Sequence, residues 1–180
     1  MAFINYVTQI QFDFGATHML AQECQRIGIT RPLVVTDPGV KAAGVLQKAL
    51  DALGQMPVVV FDATPSNPTE AAVRAAAELY RQHHCDGLIA VGGGSAIDCA
   101  KGVAIAATHE GPLKTYATIE GGSPRITDAV APIIAVPTTA GTAAEVTIHY
   151  VITDVAKKRT FVCVDVHDIP IVAVVDPDMM

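Results

Sequence analysis

The spacing of apolar positions along this chain changes several times, and each change marks an element. Residues 9–14 alternate, with Ile10, Phe12 and Phe14 between polar neighbours, and Gly15 closes the run, which predicts a half-exposed strand. Residues 18–27 switch to helical spacing, with Met19, Leu20, Cys24 and Ile27 inward and Gly28 as the stop. Residues 32–36 (PLVVT) form a second apolar strand leading into Asp37-Pro38-Gly39. Residues 40–53 predict one amphipathic helix, with Val45, Leu46, Leu50 and Leu53 inward and Gly54 at its end. A third strand follows at 58–61. Pro65-Ser66-Asn67-Pro68 makes a rigid loop, and Thr69 caps a long helix over 70–83. Residues 88–91 are apolar without alternation, as in a strand covered on both faces, and after three glycines a helix runs to about Ala107.

This repeated strand–helix alternation predicts a mostly parallel sheet with helices on both faces. Past Thr108 the pattern changes. A loop with Gly111-Pro112 and Gly121-Gly122-Ser123-Pro124 leads to a buried strand over 132–136. Residues 146–153, 159–164 and 169–175 are then β-rich, and the charged turn at 154–159 suits a hairpin. The expected fold is α/β, a Rossmann-like, mostly parallel sheet flanked by helices, with an additional β-hairpin in the C-terminal third. Residues 1–180 are expected to form one such domain.

Composition narrows the partners. Apolar residues make up 51% of the 180, enough for a sizeable core, which without Trp must rest on Ala, Val, Ile and Leu. The net charge of −6 and the lack of a basic stripe argue against a nucleic-acid partner. Cys24, Cys85, Cys99 and Cys163 are widely spaced with no C-x-x-C pair, as expected for reduced thiols in a cytoplasmic protein. The start MAFINYVTQIQFDFG has no basic stretch followed by an apolar run, so no signal peptide is read. The apolar runs at 129–136 and 169–175 are too short to cross a bilayer, so no membrane association is expected.

The candidate chemistry centres on Gly92-Gly93-Gly94, between the buried strand and its helix. Three glycines let another group approach the backbone without meeting a Cβ. Ser95 opens the helix, and Asp98 is expected in its first turn, at the positive end of the dipole. The unpaired N–H groups at such an end suit a phosphate or pyrophosphate. The run is not G-x-G-x-x-G, because Ile97 stands where the third glycine belongs, and no G-x-x-x-x-G-K-[ST] is present. Asp37, Asn67, residues 92–95 and residues 138–142 all follow predicted strands. They can therefore share the carboxyl edge of the sheet, where open α/β sheets bind ligands. Lys101 reads as an exposed helical residue and His149 as a half-buried strand residue. Asp165, His167 and Asp168 are dense, but alternation puts only Asp165 and His167 on one side, too few for a metal cage, and no metal ligand is assigned.

VGGGSAIDCAK followed by PTTAGTAAEVT, with VVTD and NPT upstream, resembles the iron-containing (group III) alcohol dehydrogenases over essentially the whole chain. EVTIHYVITD and KRTFVCVDVHDIP resemble most the branch that interconverts 1,2-propanediol and lactaldehyde. The resemblance implies an N-terminal NAD-binding α/β domain and a helical domain that holds iron through an Asp and three His. It also implies a small alcohol or aldehyde as substrate in the cleft between the domains, and a homo-oligomer. By this resemblance Gly93, Gly94 and Ser95 meet the pyrophosphate, and Thr138, Thr139 and Thr142 line the nucleotide cleft with Thr147 nearby. Asn67 contacts the cofactor, Asp37 takes the adenosine ribose, and Asp98 and Lys101 both belong to the same cofactor-binding motif, their other readings being a dipole partner and an exposed helical residue. Two departures stand out: Ala143-Ala144 replace a common Gly-Ser, and Thr160 stands where the branch offers a Lys, beside Lys158 and Arg159. The helical domain is absent from this chain, so the iron ligands are expected outside it. The implied activity is hydride transfer between NAD and a primary alcohol or its aldehyde. The alternative is a nucleotide-binding module without catalysis of its own.

Overall fold

The computed structural model describes residues 7–180; the first six, part of the stretch over which no leader is read, lie outside the described residues. Among the described residues the strands are β1 (Gln9–Phe12), β2 (Pro32–Val35), β3 (Val59–Phe61), β4 (Gly87–Gly92), β5 (Ile133–Pro137), β6 (His149–Asp154), β7 (Arg159–Val164) and β8 (Val172–Val175). The α-helices are α1 (Leu20–Arg26), α2 (Pro38–Ala42), α3 (Val45–Leu53), α4 (Glu70–Gln82) and α5 (Gly94–Thr108). Six strands form a wholly parallel sheet in the order β1-β8-β5-β4-β2-β3, and β6 and β7 form a separate antiparallel hairpin. From β2 the chain winds outward to β3, then crosses back to β4 and on to β5. The winding direction therefore switches between β2 and β4, and the crevice there is where such sheets hold ligands.

The central strands are buried on both faces because each face has its own cover. Leu88 and Ala90 of β4 join Leu33, Val35, Ile133 and Ala135 under α4 and α5. Ile89 and Val91 join Val34, Ile134, Val136 and Val172 under α1 and α3. The hairpin adds an outer layer to the first core, where Tyr150, Ile152, Phe161 and Cys163 are buried. Helix α5 thus lies between sheet and hairpin and is apolar nearly all round, as a doubly covered helix must be. Gly102 permits this closeness: a Cβ there would stand 3.0 Å from Val73 Cγ2 and 3.4 Å from Ile152 Cδ1.

Several expectations are corrected. Residues 40–53 are not one helix, because Gly44 at φ 76° breaks the run and α2 starts earlier, at Pro38. The helix read over 18–27 is a 3-10 turn (Ala16–Met19) followed by α1. The first strand faces the opposite way: Ile10 and Phe12 are 49% and 72% exposed, while Gln11 points inward and donates to the buried Glu23. An edge strand can show apolar side chains to solvent when a hydrogen-bonded polar pair holds its inner face. The 169–175 stretch, read only as β-rich, contributes β8, an inner strand of the main sheet between β5 and β1. In the hairpin, the strand read over 146–153 starts only at His149, because residues 144–146 form a 3-10 turn.

Candidate functional site

A cleft of about 700 Å³ opens at the carboxyl ends of β2, β3, β4 and β5. Asp37, Gly93, Gly94, Ser95, Thr138 and Thr139 line it, and residues 63–66 form its far wall. The size suits a nucleotide or drug-sized ligand. A groove of similar volume lies past the C-terminal end of α5, between Arg74, Arg81 and His109, and shares no residue with the glycine turn.

The cleft fits a pyrophosphate for reasons visible in its floor. Helix α5 begins at Gly94 after Gly93 and no side chain caps it; the Gly93 carbonyl takes the Ala96 N–H at 3.1 Å, which leaves the N–H groups of Gly94 and Ser95 at the cleft without a side-chain competitor. A Cβ on Gly93 would stand 3.2 Å from Thr139 Oγ1, and one on Gly94 would stand 3.4 Å from Thr142 Cβ. Each glycine therefore leaves room between the helix start and a threonine of the facing loop. Gly92 is needed for another reason, since a Cβ there would come within 2.6 Å of Ala96 Cβ. The N–H of Thr138 donates to the Gly92 carbonyl at 3.0 Å, which extends the β4–β5 pairing into the turn.

Asp37 caps α2: its Oδ1 accepts from the N–H groups of Gly39 at 2.8 Å and Val40 at 3.0 Å. Its Oδ2 is left toward the glycine turn, 3.3 Å from the position of a Gly92 Cβ. Turn-forming and ligand-facing roles thus belong to different oxygens of one carboxylate. Lys41, one helical turn on, is bonded to Asp62. Asn67 joins the site through its backbone. Its N–H donates to Ser95 Oγ at 3.1 Å, and its φ of 56° lies in the left-handed region that Asn tolerates.

Two residues of the expected set lie elsewhere. Asp98 falls beyond the first turn of α5, which holds no acidic residue, so it is not a dipole partner there. Its Oδ2 accepts the N–H of Val151 at 3.1 Å. Thr147 turns its carbonyl and hydroxyl to a lysine rather than to the cleft. That lysine is Lys101, read from sequence as exposed and in fact fully buried. One signal was available: a lone cation in a helix apolar on every side has no solvated face to occupy. His149 is exposed, not half-buried. Residues 63–66 were missed because nothing in a short Pro-containing loop marks it as a wall.

Asp165 and His167 pair with each other. Among the described residues no three His, Cys, Asp or Glu side chains gather as a metal would require, so the residues present do not fit iron and no step is derived through it. The four cysteines are free and buried, and burial pushes the thiols of Cys24, Cys99 and Cys163 up to about 12, which leaves them unreactive. No helix among the described residues is long and apolar enough to cross a membrane.

Asp168 is fully buried, and neither of its oxygens has a partner among the described residues. Burial, reinforced by Asp165 and opposed by Lys101, pushes its carboxyl up to about 8. A carboxyl raised on folding adds stability that is full below its unfolded value, about 4, and is lost as pH rises through its folded value. Asp168→Asn is therefore expected to gain stability relative to the parent chain between pH 4 and 8. Urea unfolding at several pH values measures this, and a pH-independent difference would contradict it.

The glycine turn, the facing threonines and their loops match a known family. The iron-containing alcohol dehydrogenase model matches residues 7–177. The chain belongs to the iron-containing alcohol dehydrogenase family. Within the family, 4-hydroxybutyrate dehydrogenase of Cupriavidus necator is 61% identical over 180 residues, covering 99% of this chain and 47% of that protein. Lactaldehyde reductase of Escherichia coli (strain K12) is 43% identical over 171 residues, covering 94% of this chain and 44% of that protein. The crystal structure of sulfoacetaldehyde reductase from Bifidobacterium kashiwanohense in complex with NAD+ superposes with a TM-score of 0.90 at 30% identity, covering 99% of this chain and 47% of that one. The chain thus spans about half the length of the relatives it matches.

Proposed function

We propose that this chain is the cofactor-binding half of an NAD-dependent oxidoreductase that interconverts a primary alcohol and its aldehyde. The observation that carries the reading is the uncapped, glycine-floored start of α5 facing a cleft of nucleotide size. When bound, NAD supplies the hydride acceptor. The chain's own part is to hold the cofactor. The N–H groups of the first turn of α5 meet the pyrophosphate, Thr138 and Thr139 border it, and Asp37 Oδ2 accepts from a ribose hydroxyl. Holding the reacting carbon and nicotinamide in contact is the chief contribution a protein makes to hydride transfer.

For the substrate we infer a short-chain primary alcohol or aldehyde with a second oxygen-bearing group. The relatives' names supply the support: 4-hydroxybutyrate, lactaldehyde and sulfoacetaldehyde each carry one. The 1,2-propanediol–lactaldehyde pair and the 4-hydroxybutyrate pair both belong to this class, and the higher identity favours the second.

Cofactor choice tests the reading. A 2′-phosphate would meet the Asp37 carboxylate, a like charge in a partly desolvated cleft, and Lys41 is occupied by Asp62. The chain is expected to prefer NADH to NADPH. Asp37→Gly is expected to narrow the gap mainly by admitting NADPH, at a stability cost of only about a few tenths of a kcal/mol, since glycine also serves at this cap position. Titration of both cofactors against both proteins at equal ionic strength decides. Equal affinities in the parent chain, or equal losses in the variant, would reduce Asp37 to a turn residue.

A further inference from the structure

The hairpin β6–β7 is held by α5 in an unusual way. A strand at the edge of a sheet leaves alternate N–H and C=O groups without a strand partner. On β6 these groups belong to residues 149, 151 and 153, and side chains and a loop take the place of a strand. Lys101 Nζ donates to the His149 carbonyl at 2.9 Å and to the Thr147 carbonyl at 2.7 Å. Asp98 Oδ2 accepts from the Val151 N–H at 3.1 Å. The Thr153 N–H donates to the Pro68 carbonyl at 2.8 Å. Lys101 and Asp98 stand three apart on α5, so both reach the same strand.

This arrangement is costly unless it has a purpose. A lysine fully out of contact with solvent gives up its hydration, and burial pushes Lys101 down to about 8 against the pull of Asp98, Asp168 and Glu145. Burial likewise raises the Asp98 carboxyl, which the Val151 N–H, Lys101 and His149 oppose. Apolar residues would bind two layers together without that cost. What they lack is register: carbonyl and N–H acceptors and donors admit only one position of β6 along the helix.

That position matters for the cofactor cleft. Helix α5 begins at the glycine turn, and the same helix, two turns on, fixes the hairpin. Thr147 lies between the hairpin and the loop 138–142 that faces Gly93 and Gly94. The loop before α4 closes the circuit, because Asn67 N–H reaches Ser95 Oγ and Thr153 N–H reaches Pro68.

We propose that Lys101 and Asp98 are positioning residues that lock β6 in register on α5 and thereby set the threonine loop against the cofactor cleft. The link to the cleft rests on the NAD reading above; the lock itself does not. The test measures amide hydrogen exchange and NADH affinity in the same variants. Lys101→Met is expected to speed exchange at Val151 and Thr153 by about tenfold or more, while Ile89 and Ile134 in the main sheet keep their protection. NADH affinity is expected to fall about tenfold in parallel. Asp98→Ala should behave like Lys101→Met. Asp98→Asn, which retains an oxygen acceptor for Val151, should restore both readouts, whereas Asp98→Leu, which keeps the volume but offers no acceptor, should not; restoration by leucine as well would reduce Asp98 to a space filler and overturn the lock.

Parent-like exchange at Val151 in Lys101→Met would overturn the lock. Uniform loss of protection across β4, β5 and β6 would do so too, since it would mark Lys101 as a general stabiliser. If Lys101→Met does not fold, the Asp98→Ala and Asp98→Asn pair decides by the same two measurements. If the parent chain binds no NADH, the cofactor reading fails while the exchange measurement still decides the lock.

Discussion

Replacing Gly94 by valine is expected to lower NADH affinity more than about tenfold, at least about 1.4 kcal/mol, with the chain still folded. Gly94 is the first residue of α5 and has an ordinary helical backbone, so the substitution creates no left-handed strain. A Cβ there makes tight but tolerable contact with Thr142, 3.4 Å away. The two further methyl groups of valine have nowhere to go except against Thr142 or into the space above the helix start. On the function proposed above, that space is where a pyrophosphate would take the free N–H groups. Gly94→Ala should therefore have a smaller effect, and the gap between the two variants measures how closely the phosphate approaches. Fluorescence or calorimetric titration gives the affinities, and urea unfolding verifies the fold. Unchanged affinity in Gly94→Val would remove the anion cradle, and with it the main support for a nucleotide cleft.

The largest stability loss is expected far from the cleft, at Asp176. This residue is 2% exposed and ties the end of β8 to the segment after β1. Its Oδ1 accepts from the N–H groups of Gly15 and Asp178, and its Oδ2 from the N–H and hydroxyl of Thr17. Both oxygens are thus double acceptors. Asparagine cannot replace them, because its NH2 would face two donors. Asp176→Asn and Asp176→Ala should each cost about 3 kcal/mol, since buried donors lose their partner. For a chain of this size that is a melting shift of roughly 6–12 °C. Burial alone would raise the Asp176 carboxyl, but the donors of Thr17, Asp178 and Gly15 outweigh it and hold it below the usual value. Stability from a depressed carboxyl is complete above its unfolded value, about 4, and disappears as pH falls through its folded value. The difference between parent and Asp176→Asn should therefore shrink below about pH 4. An asparagine variant with parent-like stability at pH 7 would contradict the double-acceptor geometry.

Much of this was legible in the sequence because it is local. A strand buried on both faces must be apolar throughout, so residues 88–91 announce a central parallel strand. Three glycines between strand and helix announce a close approach, and Thr69 announces a helix start, confirmed by its bond to the Ala72 N–H. Except for residues 63–66, the loops that line the cleft could be gathered before any coordinates, because parallel strands place all their carboxyl ends on one edge. Apolar residues next to polar ones do not, however, say which set faces in. For β1 the choice fell to Gln11 and its bond with Glu23, and the alternation read from sequence points the wrong way.

The sequence by itself determined the α/β alternation, the glycine-floored helix start and the ring of polar loops at one sheet edge, since each follows from periodicity and backbone sterics within a few residues. Only the tertiary structure decided that β8 inserts between β5 and β1, because pairing between segments 160 residues apart leaves no local trace. It also decided the roles of Lys101 and Asp98. As letters in a helix they read as a solvated cation and a dipole partner. The hairpin folding over α5 takes away their solvent and supplies the backbone groups of Thr147, His149 and Val151 in its place. Those partners lie about 50 residues downstream, and nothing short of the packed fold brings them together.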